Sequence, residues 1–75
     1  MIVEFTLNAQ ARMLERGITE ADVRAAVQSP DTLGPCLDKC WHARKQLEAR
    51  KLEVIFVREP AQVRIVTAYW QEQAA

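Results

Sequence analysis

Charge of one sign is missing from this chain: ten Lys plus Arg balance ten Asp plus Glu, and with the single His neutral the formal net charge is zero. That balance excludes a generally basic surface of the kind that grips nucleic acid or anionic membrane along its whole length. Glycine and proline are scarce, two and three in 75 residues, which excludes collagen-like and low-complexity character. Two cysteines are too few for a disulfide-dense scaffold. No apolar run approaches the roughly 18 residues of a membrane helix. Met1-Ile2-Val3-Glu4 has neither the basic start nor the apolar stretch of a secretion signal. The expectation is a soluble, cytoplasmic chain. With 49% hydrophobic and 27% charged residues, residues 1–75 form one small domain with a single core.

The helical half spans residues 6–29. The first helix is expected from about Asn8 to Arg16, with Thr6 or Asn8 as cap, Ala9, Met13 and Leu14 as its apolar stripe, and Gly17 ending it in the left-handed conformation. Ile18-Thr19-Glu20-Ala21-Asp22-Val23 is a complete start signal for a second helix. Thr19 is the cap, Asp22 the box residue three positions on, and Ile18 packs on Val23. Pro30 disfavours helical geometry in the residue before it, so this helix stops at Ser29. Pro30 to Pro35 reads as a turn region.

The sheet half spans residues 36–70. Leu52 to Val57 and Val63 to Trp70 are β-branched and aromatic runs joined by Arg58-Glu59-Pro60-Ala61-Gln62, the pattern of an antiparallel hairpin. Lys39 to Leu47 fits either a helix or a strand by periodicity, and a third strand from Cys40 to Lys45 gives the helices a proper face to cover. Ile2 to Phe5 is a candidate short edge strand. The last strand carries apolar groups on both sides, Val63, Ile65 and Tyr69 on one and Val66, Ala68 and Trp70 on the other. Its second side is then either partly occluded by loops or turned to another subunit or partner. Gln71 to Ala75 reads as a frayed tail.

The string Asn8-Ala9-Gln10-Ala11-Arg12-Met13-Leu14-Glu15-Arg16-Gly17-Ile18-Thr19, followed by Val23, Ser29-Pro30-Asp31, Cys40-Trp41-His42-Ala43-Arg44-Lys45, Leu52-Glu53-Val54-Ile55-Phe56 and Val66-Thr67-Ala68-Tyr69-Trp70, resembles the uncharacterised bacterial domain-of-unknown-function family numbered 4258. The resemblance runs from about Phe5 to Trp70. It implies an α+β fold, two N-terminal helices packed on a three- to four-stranded antiparallel sheet, similar in layout to the RelE and ParE toxin superfamily, with Cys40 to Lys45 as a strand. It brings no established activity. The family commonly has His-Ala four residues before an arginine, where this chain has Asn8-Ala9 before Arg12. Asparagine caps a helix but does not exchange a proton near neutral pH.

RelE-type ribonucleases, which use no metal, need cations around a phosphate and a proton carrier beside them. Asp38 to Lys51 supplies Lys39, Arg44, Lys45, Arg50 and Lys51 against Asp38 and Glu48, a local balance of plus three, with His42 among them. The catalytic candidates are therefore His42, Arg44 and Lys45. The binding candidates are Asn8, Arg12 and Arg16 along one helix stripe, Lys39, Arg50 and Lys51 in the basic segment, and Tyr69 on the last strand. The competing readings are alternating charge that keeps an edge strand soluble, ion pairs for Arg12 and Arg16, and a sheet-completing Tyr69. On a strand His42 shares a side with Cys40 and Arg44, where the cation favours its neutral form.

Cys36, Cys40 and His42 lack a fourth ligand at a recognisable spacing, so no metal and no cofactor is implied. Four extended residues separate the cysteine Cα atoms by about 13 Å, beyond the roughly 7 Å a disulfide spans, and two reduced thiols are expected. Two functions follow. One is a non-catalytic interaction module, binding a second copy or a small antitoxin-like protein. The other is a toxin-like ribonuclease or RNA-binding protein of a toxin–antitoxin pair.

Overall fold

Thr6 sets the first helix in place. In the computed structural model, which describes residues 2–71, its hydroxyl accepts from the Ala9 amide and so caps α1 (Leu7–Arg16). Gly17 at φ 66° ends that helix and returns its amide to the Met13 carbonyl. Thr19 and Asp22 close a full capping box on α2 (Glu20–Gln28). Both helices turn their small and aliphatic residues, Ala9, Met13, Val23 and Ala26, onto the sheet, where they meet Ala43, Leu52, Val54, Phe56, Ile65 and Ala68 in one core.

The sheet has five strands and is mixed, which corrects the expected three- to four-stranded antiparallel sheet. β1 (Ile2–Phe5), β2 (Thr32–Pro35), β3 (Cys40–Leu47), β4 (Arg50–Arg58) and β5 (Gln62–Gln71) lie in the order β1-β5-β4-β3-β2. β1 runs parallel to β5, Val3 opposite Val63 and Phe5 opposite Ile65. The other pairs are antiparallel. The parallel edge arises because the chain leaves β1 straight into α1, which lies along β5, and β1 takes the one free edge beside it. Glu4 and Arg64, direct neighbours across that edge, form an ion pair at 2.7 Å. The Pro30 to Pro35 turn region contains β2, a strand whose Gly34 and Pro35 hide it from any propensity argument. Residues 72–75 of the expected frayed tail lie outside the described residues, and Gln71 belongs to β5.

The two apolar sides of the last strand resolve into one. Ile55 pairs with Thr67 and Phe56 with Ile65, leaving Val66 as an extra residue in a β-bulge. The bulge shifts the alternation by one, so Val63, Ile65, Ala68 and Trp70 all face the helices while Arg64, Thr67 and Tyr69 face away. Bulging frees backbone carbonyls, and α1 takes them up. The Thr6 hydroxyl donates to the Ile65 carbonyl at 2.8 Å and the Asn8 amide donates to the Val66 carbonyl at 3.1 Å.

Candidate functional site on the uncovered sheet face

Both helices pack on one side of the sheet, and among the described residues no element covers the other. Strand register determines what stands on that open side. One row across the strands reads Thr32, Arg44, Glu53, Tyr69; the next reads Gly34, His42, Ile55, Thr67. Further along, Cys40 and Val57 lead to Arg64 and Glu4.

Glu53 is the centre of this surface. It interrupts the apolar run Leu52 to Val57 and is only 5% exposed. A buried carboxylate needs a counter-charge and hydrogen bonds, and its two cross-strand neighbours provide both. Arg44 Nε donates to Oε1 and the Tyr69 hydroxyl donates to Oε2. Burial pushes the Glu53 carboxyl up. The Tyr69 hydrogen bond, the hydrogen bond and charge of Arg44 and the charge of His42 outweigh it, and the pKa falls below the ordinary 4.5. The Tyr69 phenol moves the opposite way, above its ordinary 10.0, through burial, the bond to Glu53 and the Glu53 charge, with Arg44 opposing. Glu53 is thus held as a carboxylate and Tyr69 as a phenol. Neither is poised to exchange a proton near neutrality.

His42 lies beside this network with its ring against Gly34. A Cβ at Gly34 would come within 3.0 Å of His42 Nε2, so the missing side chain of β2 is what admits the imidazole. His42 Nδ1 is buried without a hydrogen-bond partner.

The remaining sequence candidates are dispersed. On the helix side, Asn8 binds the bulge, Arg12 pairs with Glu15 at 2.8 Å, and Arg16 donates to the Ala68 carbonyl at 2.8 Å. Lys45 alternates to that same side and donates to the Ser29 carbonyl at 2.9 Å. Arg50 lies 3.7 Å over the Trp70 ring. Lys39 is in the β2–β3 turn at φ 65°, while Lys51 is on the open face opposite Gln46 and Gln71. The structure brings His42, Arg44 and Tyr69 together and separates them from Asn8, Arg12, Arg16 and Lys45 by the thickness of the sheet. Lys39 and Lys51 stand at opposite ends of β3, about 25 Å apart for eight extended residues. The plus-three segment is therefore not one patch.

Glu53 is the residue the sequence reading passed over. Its signal was a lone carboxylate inside a β-branched run, legible once the register sets it opposite Arg44 and Tyr69. The cysteines correct a second expectation. Cys36 and Cys40 are not separated by extended chain but flank a tight turn, with Cα atoms 5.1 Å apart, and form a disulfide. Among the described residues no group of three His, Cys, Asp or Glu side chains is placed to hold a metal ion.

The family described as Domain of unknown function (DUF4258) matches residues 5–70, from the end of β1 to the penultimate residue of β5. The chain belongs to that family. No curated protein and no solved structure matches it. The DUF4258 match thus takes in both helices, the bulge and all three residues of the Arg44–Glu53–Tyr69 network, while the family description assigns no activity. No helix among the described residues is long and apolar enough to cross a membrane.

Proposed function

We propose that this DUF4258 chain is a non-catalytic interaction module whose uncovered sheet face binds a second copy of itself. The observation that carries this reading is the state of that face. Its charges balance and, Lys51 apart, are paired in place, Arg44 with Glu53 and Arg64 with Glu4 and Glu59, around a half-buried apolar centre of Ile55 and Val57. A surface neutralised from within suits a partner of the same kind better than a polyanion. A ribonuclease needs its cations and proton carrier around one phosphate, and here His42 and Arg44 stand together while Lys45 is on the other face and Lys39 and Lys51 are at opposite ends of β3.

An RNA-cleavage assay tests the reading. Wild-type protein is expected to leave single-stranded and structured RNA intact, with Arg44→Ala and His42→Ala indistinguishable from it. Cleavage by wild type that disappears in both variants would overturn the proposal in favour of the toxin-like ribonuclease.

A further inference from the structure

The β2–β3 turn, Cys36-Leu37-Asp38-Lys39-Cys40, carries chemistry that the proposed function does not use. The Cys36–Cys40 disulfide closes it, and the Cys36 amide donates to the Cys40 carbonyl at 2.9 Å. Alternation along β3 places Cys40 on the uncovered face with His42 and Arg44. We propose that Cys36–Cys40 is a thiol–disulfide exchange site, with small-molecule thiols and disulfides as its reactants, and that its redox state determines whether β2 stays on the sheet.

Three observations support this, and none depends on self-association. First, β2 is a poor strand. Thr32-Leu33-Gly34-Pro35 pairs only with β3, through four residue pairs at the sheet edge, and half of it is Gly and Pro. Its two ends are held differently. At the start the Asp31 amide donates to the Arg44 carbonyl at 2.8 Å, and the Asp31 carboxylate accepts from the Gln46 amide at 2.7 Å. At the far end the disulfide is the clasp. Second, Asp38 and Lys39 occupy the left-handed region at φ 60° and 65°, a conformation that a non-glycine residue adopts at a cost. Third, the site is accessible. Both cysteines are only partly buried and Leu37 between them is 86% exposed.

Exchange proceeds without any further reactant. A thiolate of a small dithiol attacks one cysteine sulfur, the Cys36–Cys40 bond breaks, and the other cysteine leaves as a thiolate that takes a proton from water. The second thiol of the reductant then attacks the mixed disulfide, so that both cysteines end as thiols and the reductant as a cyclic disulfide. Released at its Pro35 end, β2 peels back toward Asp31, lifting Gly34 from the His42 ring and exposing the edge of β3.

Amide hydrogen exchange and thiol labelling on the full chain decide the matter. Protein purified without reductant is expected to take up no iodoacetamide; after dithiothreitol, without denaturant, it takes up two. In the reduced form the Cys36 amide and the β2–β3 amides are expected to exchange at least ten times faster, with β4–β5 unchanged. A Cys36→Ser/Cys40→Ser variant should reproduce that fast pattern, and the two states of the wild type decide should the variant not fold. Thiols that are free and resist oxidation by glutathione disulfide would overturn the proposal. So would a bridge that yields to dithiothreitol only in denaturant, or equal β2–β3 exchange in both redox states.

Discussion

Glu53 carries more of this surface than any other residue, because its charge is buried and its partners come from two different strands. Replacing Arg44 by Leu leaves the carboxylate with Tyr69 as its one side-chain hydrogen bond, and we expect a loss of about 3 kcal/mol in a denaturant titration, the low end for a broken buried pair because Arg44 is partly exposed. Tyr69→Phe removes one hydrogen bond to a charged acceptor and should cost about 1–3 kcal/mol. The pH dependence has a definite sign. A carboxylate whose folded pKa lies below its ordinary 4.5 contributes stability that is complete above the unfolded value and disappears as pH falls through the folded one. Wild type should therefore lose stability on acidification below about pH 4.5, and Glu53→Gln should lack that component in parallel melts. At Gly34 an added methyl meets the His42 ring at 3.0 Å, so Gly34→Ala is expected to destabilise wild type and to be nearly neutral in a His42→Ala background, as a double-mutant cycle would show. Glu53 could be noticed in the sequence as a charge inside an apolar run. Its partners could not, because only register makes Arg44 and Tyr69 its neighbours.

The helices and the central strands were legible because local chemistry specifies them. Gly17, the Thr19–Asp22 box and the β-branched runs of β4 and β5 each act within a few residues. The elements that escaped depend on distant partners. β2 is a strand because β3 pairs with it and the disulfide closes their turn, not because Leu33-Gly34-Pro35 favours extension. The bulge at Val66 is visible only against the β4 register, yet it reverses which side chains face out. The same feature explains Asn8, whose role lay open in the sequence: its amide holds a carbonyl that the bulge frees. Thr6 does the same while capping α1. Thr6→Ala is accordingly expected to cost about 1–2 kcal/mol, the upper part of the range for a lost cap, with the loss of amide protection concentrated in α1 and around the bulge.

For the molecule as a whole, the zero net charge is a sum of ten cations and ten carboxylates, and the segment richest in cations spreads them over both faces and both ends of β3. No count of charges revealed that dispersal, since it depends on alternation along one strand. Five strands about 4.8 Å apart, the outer two of four residues and the inner three of eight to ten, present a face of about 500 Å² per copy. Two such faces bury about 1,000 Å², the lower limit for a specific interface, so the association is expected to be reversible and weak, with a dissociation constant in the micromolar range or above. Ile55 lies at its apolar centre. Sedimentation equilibrium over a concentration series, on wild type and Ile55→Lys, tests this most directly. The account predicts a concentration-dependent dimer for wild type and a folded monomer for Ile55→Lys; a wild type that stays monomeric at every concentration, or a variant that dimerises equally well, would contradict it.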